Sequence, residues 1–286
     1  MAFDGVEELT HPASLAEAWG QKEERGDAAR FIGGGIDLAV FAPPSVRRLI
    51  DLAGLGISSI REGDGGVRIG AMATMTEIEE SPFLRSYGGG FLTSVLSRVA
   101  SPLQRNLATF GGTIGSLHPW SDIVPALLVL DATVVVYDGE EHVVSVDDYL
   151  DRRAKGSRPL ISEIRLPRIP GGATAEFEKF SRTRFDISVL NCACFVGLKD
   201  GKCETVRIAI GGRPGIAARL YDVEEEMKGE PLDGKTIGEI AALAARRSEL
   251  GDDRRASAEY RRTLAEVGVK RCLGRVAGRL GGGKTR

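Results

Sequence analysis

Two glycine clusters far apart in the chain, Gly33-Gly34-Gly35 and Gly111-Gly112, carry the clearest chemical potential of this sequence. Glycine lets successive backbone N–H groups converge on an anion, and lets a bulky phosphate approach the chain without meeting a Cβ. The pair therefore suits a pyrophosphate. Neither cluster has the G-x-G-x-x-G spacing, so a Rossmann-type nucleotide fold is not implied. Asp37 and Asp122 each follow one of the glycine turns and precede an apolar run. A carboxylate there accepts hydrogen bonds from a ribose or adenine, or caps a helix or turn, and spacing leaves both readings open. His118 lies in the second loop with no other ligand at metal spacing, so no metal site is assigned. Cys192 and Cys194 share one face of an apolar strand and read as core. With Cys203 and Cys272 they form neither a disulfide framework nor the set of thiolates an iron–sulfur cluster needs. The segment Gly278 to Thr285 matches the P-loop letters G-x-x-x-x-G-K-[ST]. A working P-loop needs a strand before it and a helix after it, and only Arg286 follows, so an NTPase is rejected and a disordered tail expected over 277–286.

The elements that must position these residues follow from capping and periodicity. Ser14-Leu-Ala-Glu17 reads as a capping box that opens a helix. Arg30-Phe31-Ile32 reads as a strand running into the first glycine turn, with further short strands at Ile50 to Leu52 and Val67 to Gly70. Phe91 to Ala100 has helical spacing, and Pro119-Trp-Ser-Asp122 reads as the capped start of a helix. Val134 to Tyr137, Val143 to Val146 and Ile161 to Leu166 read as strands. The prolines and glycines of Pro167 to Gly172 mark the expected domain boundary. Beyond it, Phe177 to Phe180, Ser188 to Leu198 and Val206 to Ile210 read as strands with a hairpin turn at Lys199-Asp-Gly201. Two helices follow, one opening at Thr236-Ile-Gly-Glu239 and one with Tyr260, Leu264 and Val267 on one face.

The 286 residues and 42% hydrophobic content allow one large or two medium packed domains. A net charge of −2, with both signs interleaved, argues against nucleic acid as a partner. No apolar run is long enough to span a bilayer and no signal-peptide pattern is visible, so a cytoplasmic protein without a membrane span is expected.

The stretch Ser101-Pro-Leu-Gln-Arg-Asn-Leu-Ala-Thr109-Phe-Gly-Gly-Thr113 resembles the pattern S-P-x-x-R-N-x-[GA]-T-[IYF]-G-G-N of the FAD-binding subunits of molybdenum hydroxylases of the xanthine dehydrogenase and carbon monoxide dehydrogenase type. Ile32-Gly-Gly-Gly-Ile-Asp37-Leu38 resembles the family's A-G-G-T-D-L loop, and Asp122 stands at the aspartate that follows the second loop. Ser162 to Pro167, Lys179 with Asp186-Ile-Ser188, Arg207 to Gly212 and Ala258 to Arg261 resemble later family segments in the same order. Ile36 stands where threonine is usual, Thr113 where asparagine is usual, and His118 where aspartate is frequent.

The resemblance implies an α+β chain: a PCMH/vanillyl-alcohol-oxidase-type FAD-binding domain over 1–170, in two α/β subdomains of about 1–55 and 56–170, then a sheet-and-helix domain of the CO dehydrogenase flavoprotein type over 171–276. FAD is the one cofactor implied. Its pyrophosphate and ribityl groups are expected between Arg30, Phe31, Ile32, Gly33, Gly34, Gly35, Ile36 and Asp37 on one side and Thr109, Phe110, Gly111, Gly112 and Thr113 on the other. Asp122 is expected near the ribose and adenine end, with Ile161 and Lys179 flanking the isoalloxazine ring and Arg182, Arg184 and Asp186 on the acceptor side. No residue is implied as an acid or base, because the redox chemistry belongs to the flavin. The implied partners are a molybdopterin-binding large subunit and a [2Fe-2S] small subunit, with electrons passing to NAD or another acceptor. Two alternatives are a self-contained flavin oxidoreductase of the same fold and an assembly subunit without FAD, the latter suggested by Ile36 and Thr113.

Overall fold

The computed structural model describes residues 3–63 and 65–281. By its contacts the chain forms two compact units: residues 1–81, 101–117 and 133–166, and residues 82–100, 118–132 and 167–286. The first holds two sheets. Glu8–Thr10, Arg48–Asp51 and Ala29–Ile32 form a three-stranded parallel sheet with Arg48–Asp51 in the middle. The helix Leu15–Arg25 covers it, burying Ala18 with Ala29, Ile50 and Leu52. Ser14 caps that helix by accepting from the Glu17 N–H. The return bond of Glu17 goes to the N–H of Ala13 rather than Ser14, so the expected box is shifted by one residue. The second sheet is antiparallel, in the order Ile60–Gly63, Gly66–Gly70, Leu160–Leu166, Thr133–Tyr137, Glu141–Ser145.

The second unit is built on a four-stranded antiparallel sheet, Ala218–Arg219, Lys202–Gly211, Leu190–Lys199, Ala173–Phe180. The turn at Asp200-Gly201 has positive φ at both residues, as a tight hairpin requires. Alternation along Leu190–Lys199 sends Leu190, Cys192, Cys194 and Val196 into one core with the helices Gly234–Arg247 and Ala258–Gly281. Asn191, between them, faces the other way and bonds Ser121 and Asp122 at the start of the helix Ile123–Val129. Every residue of that helix is buried. An α-helix apolar all round must be covered on all sides, and this explains why 118–132 pack with the C-terminal sheet although they lie within the expected 1–170 domain.

Leu38–Phe41 is a turn of helix. Three local readings are corrected. The helix expected to open at Thr236 starts at Gly234 behind an Asp233 cap, whose carboxylate takes the Thr236 N–H. The last helix buries Arg261, Leu264, Ala265, Gly268, Val269 and Cys272, and leaves Tyr260 exposed. It continues to Gly281, so residues 277–281 of the expected tail are helical, and the remainder, with Lys284 of the P-loop-like string, lies outside the described residues. A helix, not a strand, precedes that string. Among the described residues no helix is long and apolar enough to cross a membrane.

Arg261 explains why the periodicity of the last helix misleads. It is 0% exposed and donates to the carbonyls of Val189, Gly251 and Ala256 and to the Asp253 carboxylate. Burial acts to raise the Asp253 carboxyl, but hydrogen bonds from Arg261 and Arg255 outweigh it and hold the group below the usual carboxylate range. Arg261→Ala strands several buried acceptors, and a loss of about 3–5 kcal/mol is expected in denaturant unfolding. Because the native pKa of Asp253 is depressed, its contribution is present above the ordinary carboxylate range of about pH 4 and is lost as pH falls below it. Arg261→Ala should therefore flatten the acid side of the stability profile.

Candidate functional site

The strand Ala29–Ile32 delivers the first glycine cluster at its C-terminal end, beside the loop that leads to the second. The fit there is set by contact between backbones. A Cβ on Gly34 would stand 1.6 Å from the Leu107 carbonyl oxygen, and one on Gly33 would stand 2.6 Å from Thr109 Oγ1. Gly35 has φ +70, a conformation L side chains rarely adopt, and packs on Ile32. The two clusters, distant in sequence, are thus neighbours in the first unit.

They do different work. Gly111 N–H donates to the Ala71 carbonyl, Phe110 N–H to Ala73, Gly112 N–H to Thr109 Oγ1 and Thr113 N–H to the Thr109 carbonyl. The donors of the short helix Phe110–Gly115 are therefore spent inside the protein. A Cβ on Gly111 would stand 2.6 Å from that of Ala71, so this glycine serves a chain crossing. In contrast, no acceptor among the described residues takes the N–H of Gly33, Gly34, Gly35 or Ile36. Four consecutive donors in a glycine-rich loop are the groups that phosphate oxygens can use. Ile36 keeps the N–H this needs although it lacks the usual threonine hydroxyl.

The remaining first-unit residues fall around this loop unevenly. Thr109 is buried as the cap of its helix, and Phe110 is fully buried, so its side chain belongs to the core. Thr113 turns its hydroxyl onto the Thr109 carbonyl. Phe31 stacks on Trp19 with ring centroids 6.4 Å apart. Asp37 is half-buried and heads the turn Leu38–Phe41 without a side-chain cap bond. Ile161 sits at a register shift in its strand, where the next residue, Ser162, accepts the Ala71 N–H. It is therefore tied through Ala71 to Gly111. Arg30 is the exception: its guanidinium curls back onto the carbonyls of Asp27 and Ala29, away from the glycines.

Asp122 and Lys179 belong to the second unit, where they form a buried pair at 2.8 Å, with side chains 5% and 3% exposed. Lys179 also donates to the Arg98 carbonyl. Asp122 Oδ1 accepts from Ser188 at 2.5 Å and Asn191 at 2.7 Å. Asp122 is therefore neither the helix cap nor the open acceptor that its spacing allowed; the adjacent N–H of Val124 goes to Ser121. Ser188 and Asn191 were not singled out from sequence as site residues. A polar amide within the apolar run Val189 to Val196 was the available signal for Asn191. His118 stacks on Trp120, with ring centroids 4.5 Å apart, and Arg255 lies over the same indole. Among the described residues no group of three His, Cys, Asp or Glu side chains could hold a metal.

With the geometry in place, comparisons with known proteins agree on a family. Residues 3–169 match the model described as the FAD binding domain in molybdopterin dehydrogenase, and residues 175–276 match the CO dehydrogenase flavoprotein C-terminal domain. The chain is 28% identical to the carbon monoxide dehydrogenase medium chain of Afipia carboxidovorans, over 94% of this chain and 96% of that one. It is 28% identical to the 6-hydroxypseudooxynicotine dehydrogenase complex subunit alpha of Paenarthrobacter nicotinovorans, over 87% and 86%. Among solved structures it is similar to carbon monoxide dehydrogenase from Hydrogenophaga pseudoflava, with a TM-score of 0.88 and 26% identity over 96% of this chain and 98% of that chain. Quinoline 2-oxidoreductase from Pseudomonas putida 86 gives a TM-score of 0.85 at 25% identity, over 98% and 99%.

Removing one member of a buried ion pair leaves the other charge without compensation. Asp122→Asn is expected to cost about 3–5 kcal/mol in denaturant unfolding followed by tryptophan emission. Combined with Lys179→Met it should cost clearly less than the sum of the two single changes; additivity would show that the pair is not coupled.

Proposed function

Because the chain belongs to the FAD-binding subunits of the molybdenum hydroxylases, we propose that it is the electron-relaying flavoprotein subunit of such a complex, taking electrons from a [2Fe-2S] partner and passing them through FAD to NAD or another acceptor. It is an oxidoreductase subunit and its cofactor is FAD. The partners in this reading are the [2Fe-2S] small subunit and a molybdopterin-binding large subunit that selects the substrate. Relatives named as a medium chain and as a complex subunit support that assignment.

The observation that carries the cofactor reading is the run of N–H groups from Gly33 to Ile36 without acceptors among the described residues, on a loop where Gly34 leaves no space for a side chain. The FAD pyrophosphate is assigned to these donors. The second glycine pair holds the loop in place by tying Thr109–Thr113 to Ala71 and Ala73. Bound FAD supplies the one- and two-electron redox chemistry. The chain's part is to bind, orient and bias it electrostatically. Ile161 is assigned to the ring as an apolar wall that excludes water. Lys179 is assigned to it as a cation held at a fixed position by Asp122 and the Arg98 carbonyl. A fixed charge in a site of low dielectric acts more strongly than a mobile one in water.

An absorption spectrum of the purified chain, with and without its co-purifying partners, tests the reading. One releasable FAD per chain, with flavin bands that bleach on adding dithionite, is the expected result; absence of flavin from the complex would overturn it. Gly34→Val places a side chain against the Leu107 carbonyl, so it should lose the flavin together with at least about 3 kcal/mol of stability. Retention of full flavin content by this variant would remove the glycine loop from the site.

A further inference from the structure

At the other end of the strand Ala29–Ile32, the first unit gathers four cations around the turn Gly26–Ala28 and the segment 153–158. Lys22 is buried and the Arg30 side chain is 14% exposed; Arg153 is half-buried, and Arg158 forms the rim with its side chain 48% exposed. Asp27, itself 82% exposed, is the carboxylate that meets them, 3.4 Å from Arg30 and 4.0 Å from Arg158. One solvated carboxylate does not balance four cations. Burial, then repulsion from one another, holds both Lys22 and Arg30 below their ordinary pKa values, against the opposing pull of Asp27.

Helix capping accounts for part of the cluster. Lys22 donates to the Gly26 carbonyl behind the helix Leu15–Arg25, and Arg153 donates to the Gly115 carbonyl at 2.8 Å and to Ser157 at 2.9 Å. It does not account for Arg158, which donates no hydrogen bond to any described residue, nor for Nε and Nη2 of Arg30, whose Nη1 alone meets the Asp27 and Ala29 carbonyls. Two guanidinium groups with donors to spare, a lysine whose charge they feel and an excess of positive charge make a receptor for a tetrahedral oxyanion, which guanidinium forks bind in bidentate fashion.

We infer that Lys22, Arg30, Arg153 and Arg158 form an oxyanion site for a free phosphate or phosphomonoester, distinct from the glycine loop. The separation follows from direction: the Arg30 guanidinium curls back toward residue 27, while Gly33 lies about 10 Å further along the extended strand.

The test is titration of the FAD-loaded full chain with inorganic phosphate, against sodium chloride at matched ionic strength, read as the thermal unfolding midpoint and by calorimetry. Phosphate should raise the midpoint where chloride does not. Arg158→Ser, a change at a half-exposed position, should weaken phosphate binding about tenfold or more while flavin content measured in phosphate-free buffer stays unchanged. Arg158→Lys keeps the charge without the fork and should fall between the two. The inference is overturned by a phosphate effect no larger than that of chloride, or by one that survives Arg158→Ser. Flavin loss that parallels the loss of phosphate binding would also overturn it, by assigning the cluster to the cofactor instead. Flavin content in the unsubstituted chain reports separately on the function proposed above.

Discussion

The first unit turns on one close approach, that of the Gly34 backbone to the Leu107 carbonyl, with no room between them for a Cβ. A contact of this kind has no adjustable side chain and fixes the loop to within a few tenths of an ångström. With Gly34 pinned and Gly35 in the left-handed region, the N–H groups from Gly33 to Ile36 meet no acceptor among the described residues. Leaving four backbone donors without partners is costly wherever water is excluded. Such an arrangement persists when the neighbouring structure over-determines it and a ligand repays it. Here Ala71 and Ala73 supply that over-determination by holding Gly111 and Phe110, and Thr109 by closing the turn on Gly112.

That division of labour also sets the limit of what the sequence could say. Both glycine clusters were visible; the close approaches that the structure shows at Gly34 and Gly111 are to the protein's own chain, at Leu107 and Ala71. Which cluster keeps its donors was not visible, because Gly111 and Gly34 have the same composition and differ only in what crosses them. The family motif widened the reading to Phe110 and Arg30, whose side chains point respectively into the core and back along the chain. A motif records which residues recur near a site; it does not record which of them turn toward it.

The packing of residues 118–132 was hidden for a related reason. The prolines and glycines of Pro167 to Gly172 are a strong boundary signal, and the strands beyond them were read nearly in place. No turn signal marks Ile123–Val129 as belonging with a sheet that begins fifty residues later. Its only clue is that all seven residues are apolar, so that it cannot lie on a surface. Similarly, Arg261 breaks the expected face of the last helix because a guanidinium can be core when enough carbonyls converge on it, as three do here.

Asp122 and Lys179 raise a sharper question, since an apolar pair of similar volume would often stabilise a protein interior at least as well. The pair is not left to itself: Ser188 and Asn191 both donate to Asp122, and the Arg98 carbonyl accepts from Lys179. Donors on the carboxylate and an acceptor on the ammonium give each member of the pair polar partners besides the other. The arrangement thus surrounds the pair with polar partners in a place where water is nearly absent. Stability alone does not require that. What the network does provide is position: four side chains and one carbonyl fix where the two charged groups stand. Asn191 and Ser188 belong to the same arrangement although neither carries charge: they hold the Asp122 carboxylate, and Asp122 holds Lys179 in place.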